Sequence, residues 1–355
     1  MRIALDATPL TVPTGGVHRY TAELSLALAH EYPDDEFWLL SDSAFPCPDS
    51  GPSNLRSGHG PRNVLERRWW LWGLQGEISR RHIDLFHGTD FSVPYLPIRP
   101  AVLTLHDLSP WMDPKWHADD RVRRRTPLLL RLGLATMIIT PTEAVRRHAI
   151  DRFHLAPARV VAIPLAASAL FQSTPVSEGT PYFLYVGTLE PRKNIALMLE
   201  AWREIHREYA VDLVIAGRRR DDFPEIAPEP GLRLLGPIPD SDLPPLYCGA
   251  LASLYPSEYE GFGLPVLEAM QCGAAVFTSL DPAISEVAGN AAERLDTRDP
   301  SAWVAAMRSA LTRPAWIAEL RQAGLQRAAQ FSWTRTAALT REVYAEAARR
   351  FRAKP

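Results

Sequence analysis

Cysteine is scarce in this sequence, and its placement argues against two kinds of site. Only three cysteines occur among 355 residues, Cys47, Cys248 and Cys272, and no two of them lie close together in the chain. A disulfide framework or a zinc site is recognised by closely spaced cysteines. The sequence therefore indicates neither, and its cysteine content fits a reducing cytosol.

Lysine is almost absent, although positive charge is not. Only Lys115, Lys193 and Lys354 occur among the 39 basic residues, and all the others are arginines. Because arginine is used almost everywhere, each remaining lysine is a candidate for a position that needs a compact point charge. The formal net charge is only −2, which argues against a general affinity for nucleic acid.

Long apolar runs are also missing, and none approaches the length of a membrane-spanning helix. The N-terminal stretch MRIALDATPL carries Asp6 within a short apolar run, so it predicts a buried strand and not a signal peptide. Hydrophobic residues make up 46% of the chain and charged residues 23%, as in ordinary globular proteins. The length suffices for two domains, each with its own core. We therefore expect a cytoplasmic protein of two globular domains.

Short apolar runs alternate with helical patterns along the whole chain. The runs are apolar on both faces, which is typical of parallel strands that helices cover on both sides. The repeated order of strand and helix predicts an α/β protein with two Rossmann-like, doubly wound parallel sheets. The predicted strands are residues 2–7, 36–41, 84–88, 101–107, 137–142, 160–166, 182–187, 212–217, 232–236, 252–257 and 274–279.

A polar segment divides the two predicted sheets. Residues 167–180 are rich in Ser, Thr, Pro and Gly, as a linker between domains should be. We predict an N-terminal domain over residues 1–170 and a C-terminal domain over residues 171–333. A final helix over residues 334–355 is expected to pack back on the N-terminal domain. Ligands of open α/β sheets bind beyond the carboxyl ends of the strands, so we expect the site in a cleft between the domains.

The strongest motif is EYEGFGLPVLEAM, which follows a predicted strand at residues 252–257. Its glycines, Gly261 and Gly263, allow a close approach of the backbone to a ligand. Free N–H groups at the start of a helix favour anionic or hydroxyl-rich ligands. We predict that Glu260 lies in the loop, able to accept hydrogen bonds from sugar hydroxyls, and that Glu268 lies in the first turn of the helix. The alternative is a helix entry with two solvated glutamates.

A second motif, GTLEPRKN at residues 187–194, links a predicted strand to the next helix. Arg192 and Lys193 come at the N-terminus of that helix, where positive side chains and backbone N–H groups together favour a diphosphate. A solvated basic turn is the alternative. The nearby glutamate motif favours the functional interpretation.

Two features of the N-terminal half follow predicted strands. His106 closes the run AVLTLHD, where its ring can hydrogen-bond a sugar hydroxyl or a group of the transition state. A structural histidine is the alternative at this position. Thr14, Gly15 and Gly16 lie between the first strand and a helical stretch, and a Gly-Gly pair by itself indicates only a tight turn.

Taken together, these motifs resemble the retaining family 4 glycosyltransferases, whose fold is called GT-B. The resemblance rests first on Glu260 and Glu268, separated by seven residues with GFGLP between them. Other segments agree in order and spacing, so that the resemblance covers nearly the whole chain. They are TGG at 14–16, LHD at 105–107, VGTLEPRKN at 186–194 and AMQCGAAVFTS at 269–279.

The resemblance implies an enzyme that moves a sugar from a nucleotide-diphosphate donor to an acceptor with retention of the anomeric configuration. It implies that the N-terminal domain binds the acceptor and the C-terminal domain the donor. Arg192, Lys193, His106 and Glu260 would then be the catalytic residues. The implied donor-binding residues are Gly15, Gly16, Gly261, Phe262, Gly263, Leu264 and Glu268.

Glu260 and Glu268 are not expected to act as nucleophile and acid. Retaining glycosidases hold two carboxyl groups about 5 Å apart, and a loop residue and a helix residue at this spacing do not suit that demand. We expect front-face transfer, in which the departing phosphate accepts the proton of the acceptor while Arg192 and Lys193 hold it. These cations serve the phosphate, so no metal and no other cofactor is predicted. A nucleotide-sugar 2-epimerase on the same fold and a non-catalytic glycan-binding partner subunit are the alternatives.

The PRKN loop and the chain length also resemble bacterial mannosyl- and rhamnosyltransferases of surface-polysaccharide assembly. GDP-mannose is the expected donor, ahead of UDP- and dTDP-sugars. The expected acceptor is a glycan or a lipid-linked oligosaccharide at the inner face of the membrane. This substrate assignment rests on analogy, because a fold does not fix its substrate.

Two segments mix basic and aromatic residues. Residues 62–82 predict either a helix on an anionic membrane surface or an ordinary helix that buries its tryptophans against the N-terminal sheet. The second interpretation is favoured, and residues 111–125 admit the same two. A third alternative is that either segment lines the acceptor site. For a third basic run, Arg218, Arg219 and Arg220, exposure of all three is favoured, and the alternative is that one of them reaches the nucleotide.

Overall fold

The computed structural model describes residues 1–12, 15–46, 51–116, 120–175 and 179–353. Their contacts divide the chain into two compact units. The first unit consists of the described residues of Met1–Met112, His117–Leu165 and Ser332–Pro355, and the second of those of Asp113–Trp116 and Ala166–Phe331. The short stretch Asp113–Trp116 thus clusters with the second unit, although the ranges on both sides of it belong to the first.

The first unit is built on a seven-stranded parallel sheet in the order β3-β2-β1-β4-β5-β6-β7. Three of its central strands are buried along their whole length, because helices cover both faces of the sheet. The strands are β1 Arg2–Asp6, β2 Glu36–Leu40, β3 Leu55–Ser57, β4 Leu85–Gly88, β5 Ala101–Thr104, β6 Met137–Thr140 and β7 Val160–Ala162. The α-helices are α1 Gly16–Glu31, α2 Leu74–Arg80, α3 Asp120–Arg131, α4 Glu143–Phe153 and, from the end of the chain, α11 Trp333–Arg352.

The second unit repeats this plan with a six-stranded parallel sheet in the order β10-β9-β8-β11-β12-β13. The strands are β8 Tyr182–Val186, β9 Asp212–Ala216, β10 Leu232–Gly236, β11 Ala252–Tyr255, β12 Val276–Ser279 and β13 Glu293–Leu295. The α-helices are α5 Ile195–His206, α6 Leu243–Gly249, α7 Leu264–Gln271, α8 Pro282–Ala288, α9 Pro300–Thr312 and α10 Pro314–Ala328. Strands β8 and β11 are direct neighbours, so the loops that follow them start at the same edge of the sheet.

The predicted fold class, two Rossmann-like parallel sheets, is confirmed. Every predicted run contains a strand, from β1 to β12. Two strands were missed, β3 and β13. Each has only three residues and two that are not buried, so neither carries the continuous apolar pattern that indicates a buried strand. Across the described part of the chain, the helices are too short or too polar to cross a membrane.

The last helix, α11, packs against α1 within the first unit. Its buried Tyr344 hydroxyl lies 2.7 Å from Nδ1 of His87 on β4. Burial, together with the nearby His106, lowers the pKa of His87 to about 3, so the ring is neutral at ordinary pH. Nearer the surface, Arg341 donates a hydrogen bond to Asp35 over 2.6 Å. A buried polar contact and an ion pair are thus among the contacts that attach the end of the chain to the first unit.

The contact between Tyr344 and His87 predicts a measurable loss of stability when the hydroxyl is removed. In Tyr344→Phe the ring shape stays, but Nδ1 of His87 loses its partner in the core, and a buried polar atom without a partner costs about 1–3 kcal/mol. We expect the free energy of unfolding of the first unit, measured in urea, to fall by that amount. The control is Tyr95→Phe, because Tyr95 is 38% exposed and its hydroxyl can turn to water. Equal stability of both variants would contradict the prediction.

Candidate active site

The loop after β8 carries two neighbouring cations on a single turn. Pro191–Lys193 form a 3₁₀ turn, and Asn194 then adopts a left-handed conformation with φ 51° as it leads into α5. This reversal separates the turn from the helix, so the two basic side chains are not part of the regular face of α5. Lys193 is buried, with 6% of its surface exposed. A lysine is rarely buried to this extent unless it is paired.

The loop after β11 carries the partner of these cations. We call residues 257–263 the Glu260 loop. It ends at Gly263, which has φ 89°, a left-handed conformation that favours glycine. This residue precedes the first residue of α7, Leu264, and the proline that follows suits the first turn of the helix. Glu260 is 6% exposed, so the loop delivers a carboxylate into the interior.

The two loops meet in one buried ion cluster. Nη1 of Arg192 lies 2.9 Å from Oε2 of Glu260, and Nζ of Lys193 donates a hydrogen bond to the other carboxylate oxygen. Nζ of Lys193 also donates to the hydroxyl of Tyr255 on β11, over 2.7 Å. Two further bonds join the loops: Nη1 of Arg192 donates to the carbonyl oxygen of Tyr259 over 2.8 Å, and the N–H of Glu258 donates to the carbonyl oxygen of Arg192 over 2.8 Å. The structure therefore brings together three residues that the sequence predicted for one site, Arg192, Lys193 and Glu260.

The pKa values in the cluster reflect burial and mutual attraction. Burial by itself raises the pKa of Glu260, but the charges of Arg192 and Lys193 outweigh burial and lower the value to about 2. Burial and the neighbouring Arg192 lower the pKa of Lys193, while Glu260 opposes that shift. The cluster therefore holds a fixed carboxylate between two fixed cations, and such a charge pattern suits an anionic, hydroxyl-bearing ligand.

A second layer of charge surrounds Arg192. Nη2 of Arg192 lies 2.9 Å from Glu190, and Nη1 of Arg220 lies 3.6 Å from the same carboxylate. Arg220 also donates hydrogen bonds to the carbonyl oxygens of Lys115 and Trp116, over 2.7 and 2.6 Å. The prediction that all three arginines after β9 are exposed was therefore wrong for Arg220, because these contacts hold it half-buried.

Glu268 does not lie where the sequence analysis placed it. Helix α7 begins at Leu264, so Glu268 is its fifth residue and lies beyond the first turn. Its side chain is buried, and the Tyr247 hydroxyl of α6 lies 3.5 Å from Oε2. Glu268 was placed in the first turn because the start of α7 was predicted too late in the chain. The left-handed conformation of Gly263 fixes that start, and sequence patterns locate helix ends poorly.

Gly261, Phe262, Gly263 and Leu264 connect the cluster to α7. All four are buried. The ring of Phe262 packs edge-on against Phe331 with ring centroids 6.0 Å apart. The apolar side chains on either side of Gly263 thus hold the end of the Glu260 loop in place. The backbone N–H groups of this segment lie at the start of α7.

The remaining predicted site residues belong to the first unit. His106 follows β5, and its Nε2 lies 2.7 Å from the carbonyl oxygen of Thr89. A carbonyl oxygen only accepts hydrogen bonds, so Nε2 carries the proton and Nδ1 of the neutral ring is an acceptor. The ring packs edge-on against Tyr20, with centroids 4.8 Å apart. Gly15 is the N-cap of α1 with φ 124°, and Gly16 is its first residue. Thr14 lies outside the described residues.

Sequence reasoning missed two side chains that support the cluster. Tyr255 is the last residue of a buried strand, and a strand end toward the ligand edge is the signal that could have identified it. Asp281 is buried near the Glu260 loop, but in the sequence it is an ordinary Asp-Pro helix start. Among the described residues, no group of three or more His, Cys, Asp or Glu side chains could hold a metal ion.

Comparison with known proteins identifies families for both halves of the chain. The model described as Glycosyltransferase Family 4 matches residues 14–168, and the model described as Glycosyl transferases group 1 matches residues 167–330. The second match contains the whole ion cluster. The chain is also 32% identical to the O-antigen chain mannosyltransferase B of Escherichia coli, over 97% of this chain and 99% of that protein.

Solved structures with the same fold have much lower identity. A sucrose-phosphate synthase from Thermosynechococcus elongatus matches with a TM-score of 0.73 at 18% identity, over 99% of this chain and 100% of that one. The Anabaena protein Alr3699/HepE, solved in complex with UDP and glucose, matches with a TM-score of 0.69 at 15% identity, over 97% and 99% of the two chains. At these identities the matches establish the fold.

The ion cluster predicts a strong, pH-dependent contribution of Glu260 to stability. In Glu260→Gln the buried cations lose their counter-charge, and breaking a buried ion pair in this way costs about 3 kcal/mol. The folded pKa of about 2 lies below the unfolded value. The carboxylate therefore stabilises the fold above the unfolded pKa, and this contribution is lost as the pH falls toward 2.

We expect the difference between wild type and Glu260→Gln, measured by urea unfolding, to be large at pH 7 and to shrink below about pH 4.5. Glu258→Gln is the matched control, since Glu258 is an exposed glutamate two residues away in the same loop. A difference that stays constant down to pH 3 would contradict the prediction that the ionised form of Glu260 stabilises the fold.

Proposed function

The chain belongs to the family 4 glycosyltransferases of group 1, and from that membership we propose that it transfers mannose from GDP-mannose to a glycan in surface-polysaccharide synthesis. The assignment of mannose as the transferred sugar is supported by the 32% identity to an O-antigen mannosyltransferase along almost the whole of both chains. We further propose that the acceptor is lipid-linked and that the anomeric configuration of mannose is retained. The first unit would bind this acceptor, and the second unit the donor.

One observation carries the proposal, the convergence of Arg192 and Lys193 on a single buried carboxylate. Two fixed cations of this kind match the diphosphate that leaves when the bond between the sugar and its phosphate oxygen breaks. Two of the three N–H groups of Lys193 Nζ are directed to Glu260 and Tyr255. We propose that the third is directed to the phosphate, and that the positive charge of the pair takes the role of a metal ion.

The reaction we propose takes place on one face of the sugar. The bond from C1 to the phosphate oxygen breaks, the acceptor oxygen bonds to C1 from the same side, and the released phosphate takes the acceptor's proton. No protein nucleophile is needed, since positioning and electrostatic stabilisation of the leaving phosphate lower the barrier. Glu260 would accept hydrogen bonds from hexose hydroxyls, and Nδ1 of His106 would accept one more.

The other predicted donor contacts use backbone and buried polar groups. We propose that the N–H groups of the segment from Gly261 to Leu264 face the donor at the start of α7, and that Glu268 binds it from within that helix. Gly15 and Gly16, at the start of α1, would approach its phosphates. Helix starts are suited to this task because their first N–H groups lack partners within the helix.

A basic and apolar surface of the first unit suggests where the enzyme works. Val64, Leu65 and Trp72 are 77%, 71% and 51% exposed, and the exposed arginines Arg67 and Arg68 lie between them in the chain. Apolar side chains flanked by arginines favour a bilayer with anionic headgroups. We propose that this surface, residues 64–72, holds the enzyme at the inner face of the cytoplasmic membrane, close to a lipid-linked acceptor. The favoured expectation of tryptophans packed against the first sheet fits Trp69, which is 3% exposed, and Trp70, which is half-buried and packs edge-on against Phe86 of β4, but it does not fit Trp72.

The donor is tested with a panel of GDP-, UDP- and dTDP-sugars, measuring thermal stabilisation and the nucleoside diphosphate released. We expect GDP-mannose to stabilise wild type most, and GDP release to require an acceptor glycan. In Lys193→Ala, turnover should fall about 10²–10³-fold, the range found when one donor to a developing negative charge is removed. Lys115→Ala is the control, since Lys115 is an exposed lysine. Near-normal turnover of Lys193→Ala would refute the mechanism, and a changed sugar without release would favour a 2-epimerase.

The membrane proposal is tested by sedimentation with phosphatidylglycerol vesicles. The double variant V64D/L65D places two carboxylates on the proposed surface, and we expect its binding to fall about tenfold or more. Binding of wild type should also weaken as salt rises. L234D is the control, because Leu234 is an exposed leucine of β10 in the second unit, 43% exposed. Equal binding of both variants would refute the assignment of this surface.

A further inference from the structure

A buried carboxylate that the proposed mechanism does not use lies against the Glu260 loop. Asp281 is 7% exposed and is the N-cap of α8, where Oδ1 accepts a hydrogen bond from the N–H of Ile284 over 2.9 Å. The same carboxylate accepts hydrogen bonds from the backbone N–H groups of Ala283 and Glu260. The Asp281 side chain therefore binds both the start of α8 and the backbone of Glu260.

The first turn of α8 also packs against the Glu260 loop. A Cβ atom added at Gly263 would lie 3.5 Å from Cγ1 of Ile284, so the first turn of α8 contacts the end of the Glu260 loop. The N–H of Asp281 is itself directed at Oγ of Ser279 over 3.3 Å, at the end of β12. The Glu260 loop is thus fixed by its side chain to Arg192 and Lys193, and by its backbone to Asp281.

A second Asp-Pro helix start in the same unit shows what an ordinary cap looks like. Asp299 is the N-cap of α9, and its carboxylate accepts a hydrogen bond from the N–H of Ala302 over 3.2 Å. Asp299 is exposed, and hydrogen bonds from Ser301 and Ala302 lower its pKa. Asp281 has the same local sequence pattern, but it is buried and accepts one bond from outside its own helix, from Glu260.

We propose that Asp281 is a positioning residue for the donor site: its carboxylate fixes the backbone of Glu260 so that the Glu260 side chain meets the hexose of the donor. This inference rests on the proposed function, because it assigns Glu260 to the hexose. Nucleoside diphosphate without a sugar makes no contact of that kind. Loss of the anchor should therefore weaken binding of the nucleotide sugar more than binding of the nucleotide alone.

The position of Asp281 also makes the anchor sensitive to pH. Burial, with the negative charge of Glu260 adding to it, raises the pKa of Asp281 to about 6, while the bonds from backbone N–H groups oppose the shift. The charge that faces it is that of Glu260, which is itself paired with Arg192 and Lys193. A protonated carboxyl group has less acceptor capacity than a carboxylate. Protonation below pH 6 therefore weakens the anchor.

Three variants separate positioning from simple capping. D281N keeps the shape and one acceptor oxygen but cannot ionise, so it imitates the protonated carboxyl group at every pH. D281A removes the anchor and the cap together and shows the limit of the effect. D299N makes the same change at the exposed Asp-Pro cap of α9 and is the matched control.

Hydrogen–deuterium exchange tests the anchor without any ligand. We expect the peptide that contains Glu260 to exchange about tenfold faster in D281N than in wild type, because its amide has lost a charge-assisted partner. D299N should leave this peptide unchanged. Unchanged exchange in D281N would overturn the proposal.

Calorimetric titration with GDP-mannose and with GDP tests the positioning. We expect D281N to reduce the preference for GDP-mannose over GDP about tenfold at pH 7.5, and D299N to leave it unchanged. In wild type the preference should shrink as the pH falls below 6, and in D281N it should stay at its low value. Equal weakening of both ligands in D281N, or none, would overturn the positioning role even if the exchange result holds.

Failure of the donor assignment has a different signature. If wild type itself shows no preference for GDP-mannose over GDP, the proposed donor is wrong, and the same comparison is made with the nucleotide sugar that the panel selects and its own nucleoside diphosphate. A reduced preference of D281N for that nucleotide sugar over its nucleoside diphosphate would then support the positioning role, and an unchanged preference would overturn it.

The pH dependence of the free energy of unfolding, compared with that of the donor preference, separates positioning from a purely structural role. Because the folded pKa of Asp281 lies above its unfolded value, the native state binds more protons between about pH 4 and 6, and its stability falls as the pH rises through that window. Wild type should therefore gain stability relative to D281N between pH 7 and 5, while its donor preference declines. Asp6, whose pKa burial raises to about 7, is present in both proteins and cancels from this comparison. Parallel loss of stability and preference in wild type would contradict the proposal.

Discussion

A buried carboxylate held between two cations is the constraint on which the proposed donor site depends. None of the three charges of Glu260, Arg192 and Lys193 would be tolerated alone in the interior, because an unpaired buried charge is far more costly than a paired one. Pairing is possible because the loops that carry them follow β8 and β11, which are neighbours in a parallel sheet. Sheet topology thus brings the charges together, and burial makes their geometry rigid.

Around His87, the first unit holds its buried polar side chains with neutral hydrogen bonds. His87 lies 2.8 Å from the Thr104 hydroxyl, which lies 2.9 Å from the hydroxyl of Tyr20, so a chain of neutral hydrogen bonds runs beneath His106. Burial keeps the His87 ring neutral, and the carbonyl oxygen of Thr89 fixes the proton of His106 on Nε2. In the proposed reaction, His106 would orient a hydroxyl group, and Arg192 and Lys193 would stabilise negative charge.

The sequence predicted the parts of this arrangement that follow from strand order. Both loops of the ion cluster were assigned because apolar runs locate strands, and ligand residues follow the carboxyl ends of parallel strands. Glu268 was misplaced because a helix start depends on the conformation of one glycine, Gly263. Arg220 was expected in solvent because its partners, the carbonyl oxygens of Lys115 and Trp116, are more than a hundred residues away in the chain. Asp281 was missed for the same reason, since its distinguishing bond goes to another loop.

The structure also explains why one of the few lysines of this chain occurs at residue 193. Nζ of Lys193 lies 2.7 Å from the Tyr255 hydroxyl and 4.8 Å from the centre of the same ring, in a space closed by the Glu260 carboxylate. An ammonium group presents three N–H donors from one atom, so it can bind two fixed partners and still direct a third donor to a ligand. A guanidinium spreads its donors over a planar fork that is longer and wider, as Arg192 does when it bridges Glu190 and Glu260. The two neighbouring positions thus hold different shapes of positive charge, and Lys193 is one of the few positions where this chain has lysine.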